Sequence, residues 1–472
     1  METGSSPDPL ATCQAGKVTE TLVEQALAYR FDTLPADVIA IAKQCILDWF
    51  AVTIAGCAEP VHGILLGAEH PGFEQNGYAS VVGQAGRYTA QQAALINGTT
   101  AHALDFDDVN LSISGHPTAV IFSALLALAQ QHGKSGKELI TAFVAGYETA
   151  CRIGQLLAPG HLARGYHATG TICTFGAAAA CAHLIGLNPI QTASVLGIAG
   201  TQAAGLKAMF GTMAKPLHAG LAARNGLAAA VLVQHGLDGP VNIFEHGMGF
   251  SLTHSPDFNA SKALGEPDQG FHIRNNLFKF DASCFGTIAT LECIRQIKQE
   301  RPIVASEIKK VAIHADRTVD SICNIQSPKT GTEAKFSLRQ NATYALAGWD
   351  TGKAETYNDA LANDKDIIQL REKVDVNLMD GWPPMQAKVE IETLQGQRYC
   401  ALVDAGMPSM DLLTQSERLE HKFFQLASPL LGHVACKKLA GDISEFERLE
   451  NLGVKESRGS ARHPGSFPEV WL

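Results

Sequence analysis

In the first half of the chain, apolar residues recur at helical spacing. In LPADVIAIAKQCILDWFAVTIAG, Ile39, Ala42, Ile46, Trp49 and Phe50 follow Pro35 at a first-turn position, which predicts a helix. HPTAVIFSALLALAQQHG ends at Gly133, a residue suited to the left-handed conformation that closes a helix. Ser135 with Glu138 then forms a capping-box signature ahead of KELITAFVAGYETACRIG. TGTICTFGAAAACAHLIG and NPIQTASVLGIAGTQAAG carry small residues all round, the pattern of helices buried on several sides.

The period changes after about residue 268. IKKVAIHAD and VDVNLMD read as strands, and AKVEIETLQGQRYCALVD alternates Val389, Ile391 and Leu394 with polar residues before a turn at Gln395-Gly396 and a second strand. AKFSLRQNATYALAGW and DKDIIQLREKV read as helices between them. After Pro408 the helical pattern returns in LLTQSERLEHKFFQLASPLL. The expected fold is a large all-α domain built from both chain ends, 1–268 with 409–460, an inserted α+β domain at 269–408, and a loosely held tail at 461–472. No internal repeat is visible.

Composition narrows the function. With 472 residues, 46% hydrophobic and 18% charged, the chain is long enough for more than one core and reads as a well-buried globular enzyme. A formal net charge of -10 without a basic stripe argues against nucleic acid as a partner. The eleven cysteines show no CxxC pair or short even framework, which disfavours a disulfide scaffold or structural zinc and favours a reducing, cytoplasmic setting. METGSSPDPLATCQAG has no apolar core and does not read as a secretory signal. The apolar stretch near TFGAAAACAHLIGL is too short and too rich in small residues for a membrane span.

Four segments set ionisable residues among small ones. AHALDFDDVNLSISGHP holds His102, Asp105, Asp107, Asp108 and His116; GYHATGT holds Tyr166 and His167. FGTMAKPLHAG places Lys215 and His218 one helical turn apart, and FKFDASCFGT holds Lys279, Asp281 and Cys284. Taken singly, the acidic run reads as a solvated turn, His167 as a structural histidine and Cys284 as an inert core thiol. The acidic and histidine residues also suit a divalent metal, but their spacing matches no ligand motif such as HExxH, so no metal is expected. Lys215 is the hardest to explain structurally, since a desolvated lysine loses proton affinity and becomes a base or a fixed cation for a carboxylate. Walker, GxGxxG and GxSxG signatures are absent, leaving chemistry that side chains perform without a cofactor, chiefly proton transfer.

INGTTAHALDFDD, GYHATGTICTFGAAAA, GTMAKPLHAGLAARNG, KFDASCFGT and EAKFSLR occur in this order, and with them the chain resembles the MmgE/PrpD family over about residues 17–450. That family includes 2-methylcitrate dehydratases, cis-aconitate decarboxylases and iminodisuccinate epimerase. The resemblance implies a helical domain with most of the site, a smaller α+β lid, a homodimer and no redox cofactor. It also implies a pocket for a small di- or tricarboxylate that uses Asp105, His116, His167, Lys215, Lys279 and Cys284. Thr287-Ile288 stands where many relatives have a Thr-His pair, and Gln340 where the animal decarboxylase has a tyrosine. ASC and AKFSLR look closer to the epimerase-like branch.

The leading expectation is therefore a cofactor-independent epimerase that removes a proton beside a carboxylate. Lys215, His167 and Asp105 would supply acid/base function, and His116, Lys279, His102 and His218 would hold the substrate. Cys284 would serve the opposite face, because a cysteine beside a lysine can have a lowered pKa. The alternatives are a lyase of the same family, either dehydratase or decarboxylase, and a non-catalytic carboxylate-binding protein on the same scaffold.

Overall fold

The computed structural model describes residues 17–69 and 77–453; the tail expected at 461–472 lies outside them. The chain forms two compact units, a helical one that breaks off at Phe278 and resumes at Asp411, and a second one, Lys279–Met410. The fold is mostly helical with a smaller α+β part, the expected class.

In the helical unit, the helices Ala90–His102, Pro117–His132, Gly136–Leu157, Ala168–Leu184 and Ala214–Gln234 pack on one another. Three helices of this unit start on capping boxes: Ser135 with Glu138, as anticipated, Thr89 with Gln92, and Asn188 with Gln191 ahead of Pro189–Gln202. Gly133 closes its helix at φ 61°. The helix Ala36–Gly56 is long and apolar enough to cross a membrane, but 78% of its most apolar window is buried inside the protein, as befits a core helix.

Small residues let two of these helices meet at backbone distance. A Cβ at Gly220 would lie 2.1 Å from both the Leu95 carbonyl oxygen and Thr99 Oγ1, and one at Gly98 would lie 3.0 Å from Gly220 Cα. This contact brings the start of the Ala214–Gln234 helix beside the loop after Ala90–His102.

The second unit holds a four-stranded sheet in the order Val374–Met379, Ile308–Asp316, Gln386–Thr393, Arg398–Asp404. The first pair is parallel and the rest antiparallel. Gln386–Thr393 alternates between buried and half-buried positions, and the hairpin turns at Gly396 with φ 80°, as the sequence pattern predicts. Leu338, Ala342 and Leu346 of the helix Leu338–Ala347 join Val311, Ile313, Val389 and Ile391 in one core. The stretch AKFSLRQNATYALAGW is two helices rather than one, because the Ser337 side chain accepts from Gln340 N and starts a new helix after Gly331–Lys335.

The division falls after 278 rather than after 268, for a physical reason. Glu148 accepts from the backbone N–H groups of His272 and Ile273 at 2.9 Å each. Asn276–Leu277 then pairs with Val109–Asn110. Both ties hold this stretch to the helical unit.

Gly220→Ala is expected to lower the denaturant midpoint of the helical unit by an amount equivalent to about 2 kcal/mol or more, since backbone cannot yield to the new Cβ. Gly441→Ala, where a Cβ meets nothing within 4 Å, is expected to be neutral or mildly stabilising. Equal midpoints for the two variants would show that the Gly220 contact is looser than described.

Candidate active site

Three helices begin beside one another. His116 precedes the helix Pro117–His132 and His167 precedes Ala168–Leu184, each at the N-cap position. Lys215 sits in the first turn of Ala214–Gln234. The first two starts are joined by His116 N, which donates to Thr169 Oγ1 at 3.1 Å. Unpaired N–H groups and the helix dipole make such ends attractive to anions.

The loop after Ala90–His102 supplies the opposing charges. Lys215 Nζ donates to Asp105 Oδ1 at 2.7 Å. His116 Nε2 lies 3.5 Å from the same oxygen, and its Nδ1 lies 3.3 Å from Asp107 Oδ1. Asp107 Oδ2 is 2.9 Å from His102 Nδ1. The cluster is layered: the side chains of Lys215 and Asp105 are 13% and 24% exposed, those of His102 and Asp107 0% and 2%. The front can meet a solute and the rear can only orient the front.

His167 closes one side. Its ring stacks 5.8 Å from His102, and its Nδ1 is 3.0 Å from His218 Nδ1. Phe210 stands edge-on to His167 at 5.0 Å and lies 5.4 Å from Lys215 Nζ.

Burial and the neighbouring charges lower the proton affinity of His102, His167 and His218. Burial pushes His102 down to about 4, against the pull of Asp107 and with help from Lys215 and His116. His167 is lowered further, by burial and then by His102, Lys215, His116 and His218. His218 is lowered by burial and Lys215. Burial works against ionised Asp107, but His102 and His116 together hold its carboxyl well below the usual range. Neutral His102 therefore donates from Nδ1 to ionised Asp107, and its buried Nε2 has no partner among the described residues. Asp108, by contrast, is pushed well up by burial and by Asp48 and Asp107, and receives Thr118 Oγ1 at 2.7 Å. Its proton affinity is raised, and it lies behind the site.

Of the residues singled out from sequence, Lys215, Asp105, His116, His102, His167 and His218 come together in the helical unit. Lys279 and Cys284 belong to the second unit. Cys284 lies within that unit's apolar core and pairs with Cys323, whose thiol is pushed up by the contact with Cys284 and by burial. Asp281 is tied to Thr351 Oγ1 at 2.6 Å and to Arg295, and Tyr166 stacks on His161 at 4.6 Å. Two members were not assigned a role from sequence. Asp107 stood in the same acidic run, but only the fold shows that it faces two histidines. Phe210 had no distinguishing local signal.

His102, Asp105, Asp107 and His116 each offer a ligand atom within 4.8 Å of the others, so their donor types suit a divalent cation. Lys215 Nζ, at 2.7 Å from Asp105, brings its own positive charge to these same carboxylates.

Residues 20–263 match the MmgE/PrpD N-terminal domain and residues 282–444 the MmgE/PrpD C-terminal domain. The chain is 33% identical over 353 residues to the cis-aconitate decarboxylase-like protein oryM of Aspergillus oryzae, a match covering 70% of this chain and 72% of the relative. It is 27% identical over 465 residues to a cis-aconitate decarboxylase of Aspergillus terreus, covering 92% and 94%. It is 25% identical over 463 residues to the cis-aconitate decarboxylase of Homo sapiens, covering 93% of each chain.

The neutral His102 makes a pH prediction. An unfolded histidine titrates near 6.5, so between about 6.5 and about 4 the unfolded chain binds a proton that folded His102 refuses. Stability is then level above that window and falls on acidification, by roughly 3 kcal/mol at most from this residue. Urea midpoints measured against pH should show this slope, reduced in His102→Gln; a midpoint that rises on acidification refutes a neutral His102. Exhaustive EDTA treatment should leave the melting temperature unchanged. A fall that Zn²⁺ restores would instead give the four donors to a metal.

Proposed function

The chain belongs to the MmgE/PrpD family, and on that footing we propose that it is an enzyme, a lyase acting on a small unsaturated or hydroxylated tricarboxylate, with decarboxylation of a cis-aconitate-like substrate as the leading case. The supporting observation is the junction of three helix starts carrying His116, His167 and Lys215 around Asp105. Such a junction favours a ligand with several carboxylates and stabilises negative charge as it develops on carbon. The names of the relatives favour the lyase over the epimerase expected first from the motifs.

In the proposed reaction, breaking the bond to the departing carboxylate leaves an electron pair that the adjacent double bond delocalises. A proton must then reach carbon. Lys215 donates it, with Asp105 fixing its Nζ. His116 and the helix N–H groups hold the remaining carboxylates, and neutral His167 accepts hydrogen bonds or a proton but brings no charge of its own. The reaction calls on no cofactor, since each step is a proton transfer or a bond cleavage beside a carboxylate. A homodimer in the cytoplasm belongs to the same proposal.

The test offers cis-aconitate and citrate-like hydroxy acids to the full chain, following released carbon dioxide and the ultraviolet absorbance of the double bond. Carbon dioxide from cis-aconitate is the expected result, with Lys215→Ala lowering kcat by roughly 10²- to 10⁴-fold. A gain of double-bond absorbance from a hydroxy acid would make it a dehydratase. Proton exchange in deuterium oxide with no carbon dioxide released would return the epimerase to first place. If Lys215→Ala turned over like the wild type, the site assignment would fail.

A further inference from the structure

The turn that carries Asp105 and Asp107 has an unusual shape for its sequence. Asp105 has φ 52°, a left-handed conformation that a residue with a Cβ seldom adopts unless its surroundings enforce it. A contact to the next residue, Phe106, comes from the far end of the chain. Lys422, in the helix Leu412–Leu431, donates from Nζ to the carbonyl oxygen of Phe106 at 2.8 Å and to Asp48 Oδ1 at 2.6 Å. The same Nζ lies 4.0 Å from the centre of the Phe106 ring. Both charged side chains are buried, Lys422 at 4% exposure and Asp48 at 1%.

Burying an ion pair is expensive, and well-packed apolar residues of similar volume would often join two helices at lower cost. The helices in question, Leu412–Leu431 and Ala36–Gly56, already share the contact of Gln415 Nε2 with Gln44 Oε1 at 2.7 Å and that of Gln44 Nε2 with the Leu412 carbonyl at 2.8 Å. What an apolar residue at 422 cannot do is donate to the one carbonyl that stands between Asp105 and Asp107.

We propose that Lys422 is a positioning residue of the reacting cluster. By holding the Phe106 carbonyl it keeps the turn in the shape that presents Asp105 to Lys215 and Asp107 to His102 and His116. Asp48 holds Lys422 in place and balances its charge. The C-terminal segment is on this view part of the catalytic apparatus, although no residue of it reacts. The inference rests on reading the Asp105–Lys215 cluster as the reacting site.

The experiment compares the full-length wild type with Lys422→Met, Asp48→Asn and Lys215→Ala. The expected result for Lys422→Met is a kcat for cis-aconitate lower by on the order of a hundredfold, a KM changed far less, and a displaced kcat–pH profile, all measured well below its melting temperature. Asp48→Asn, which keeps an acceptor for Lys422, should fall between the two and serves if Lys422→Met does not fold. A residue that only stabilised the helix contact would lower the melting temperature and leave kcat and its pH profile as in the wild type; that result overturns the proposal. A crystal structure of either variant decides the matter without turnover. Asp105 should leave the positive-φ region and separate from Lys215, and an unchanged turn refutes the role of Lys422. If Lys215→Ala retains full turnover, the reading of the site fails instead, and the crystal structure still judges the turn.

Discussion

The Ala90–His102 and Ala214–Gln234 helices approach to backbone distance at Gly98 and Gly220, where a Cβ would meet the Leu95 carbonyl and Gly220 Cα. That closeness sets the distance between a lysine in the first turn of one helix and a carboxylate just past the end of the other. A methyl group at the crossing would force the pair of helices apart and separate Lys215 from Asp105. Alanine and glycine here are therefore functional residues in an indirect sense: they permit an approach that the charged pair then uses. The local composition that makes this part of the chain look featureless is what brings Lys215 beside Asp105.

Charge within the cluster is arranged in depth. Ionised Asp107 and neutral His102 lie at the back, with Lys215, Asp105 and His116 reaching solvent in front. His102 and His167 are neutral because burial denies them water and because they lie close to one another and to Lys215. A carboxylate-bearing solute approaching the front thus meets one lysine charge, three helix starts and imidazoles whose proton affinity a nearby anion would raise. An incoming anion would therefore change the protonation of the cluster it binds, which couples binding to proton supply.

The rear of the cluster depends on contacts distant in sequence. Asn110 Nδ2 donates to the His272 carbonyl at 3.1 Å and pairs with Tyr147 Oη at 3.2 Å, and Lys422 reaches Phe106 from the final long helix. The acidic turn is in contact with segments on both sides of the inserted unit. The inserted unit has a core of its own, in which Cys284 and Cys323 pack among Ile294, Ile313 and Leu338.

The helices, the strands and the insertion of an α+β part into a helical one follow from period and punctuation: 3.6-residue apolar spacing, the Ser135–Glu138 box, Gly133 and Gly396 as left-handed stops, and the two-residue alternation of Gln386–Thr393. These are local properties, decided within a turn or a strand, and so a linear chain displays them. The identities of Lys215, His167, His116 and Asp105 as candidates were legible because ionisable groups stand out among small residues. Their grouping was not, since Lys215 and Asp105 are 110 residues apart and no periodicity links them. The partnership of Asp107 with two histidines, the place of Phe210, the extension of the helical unit to 278 and the hold of Lys422 on the acidic turn were likewise settled only by folding. Each is a contact between distant segments, and the distance between such segments is set by how closely whole helices pack, a quantity that no single stretch of sequence contains.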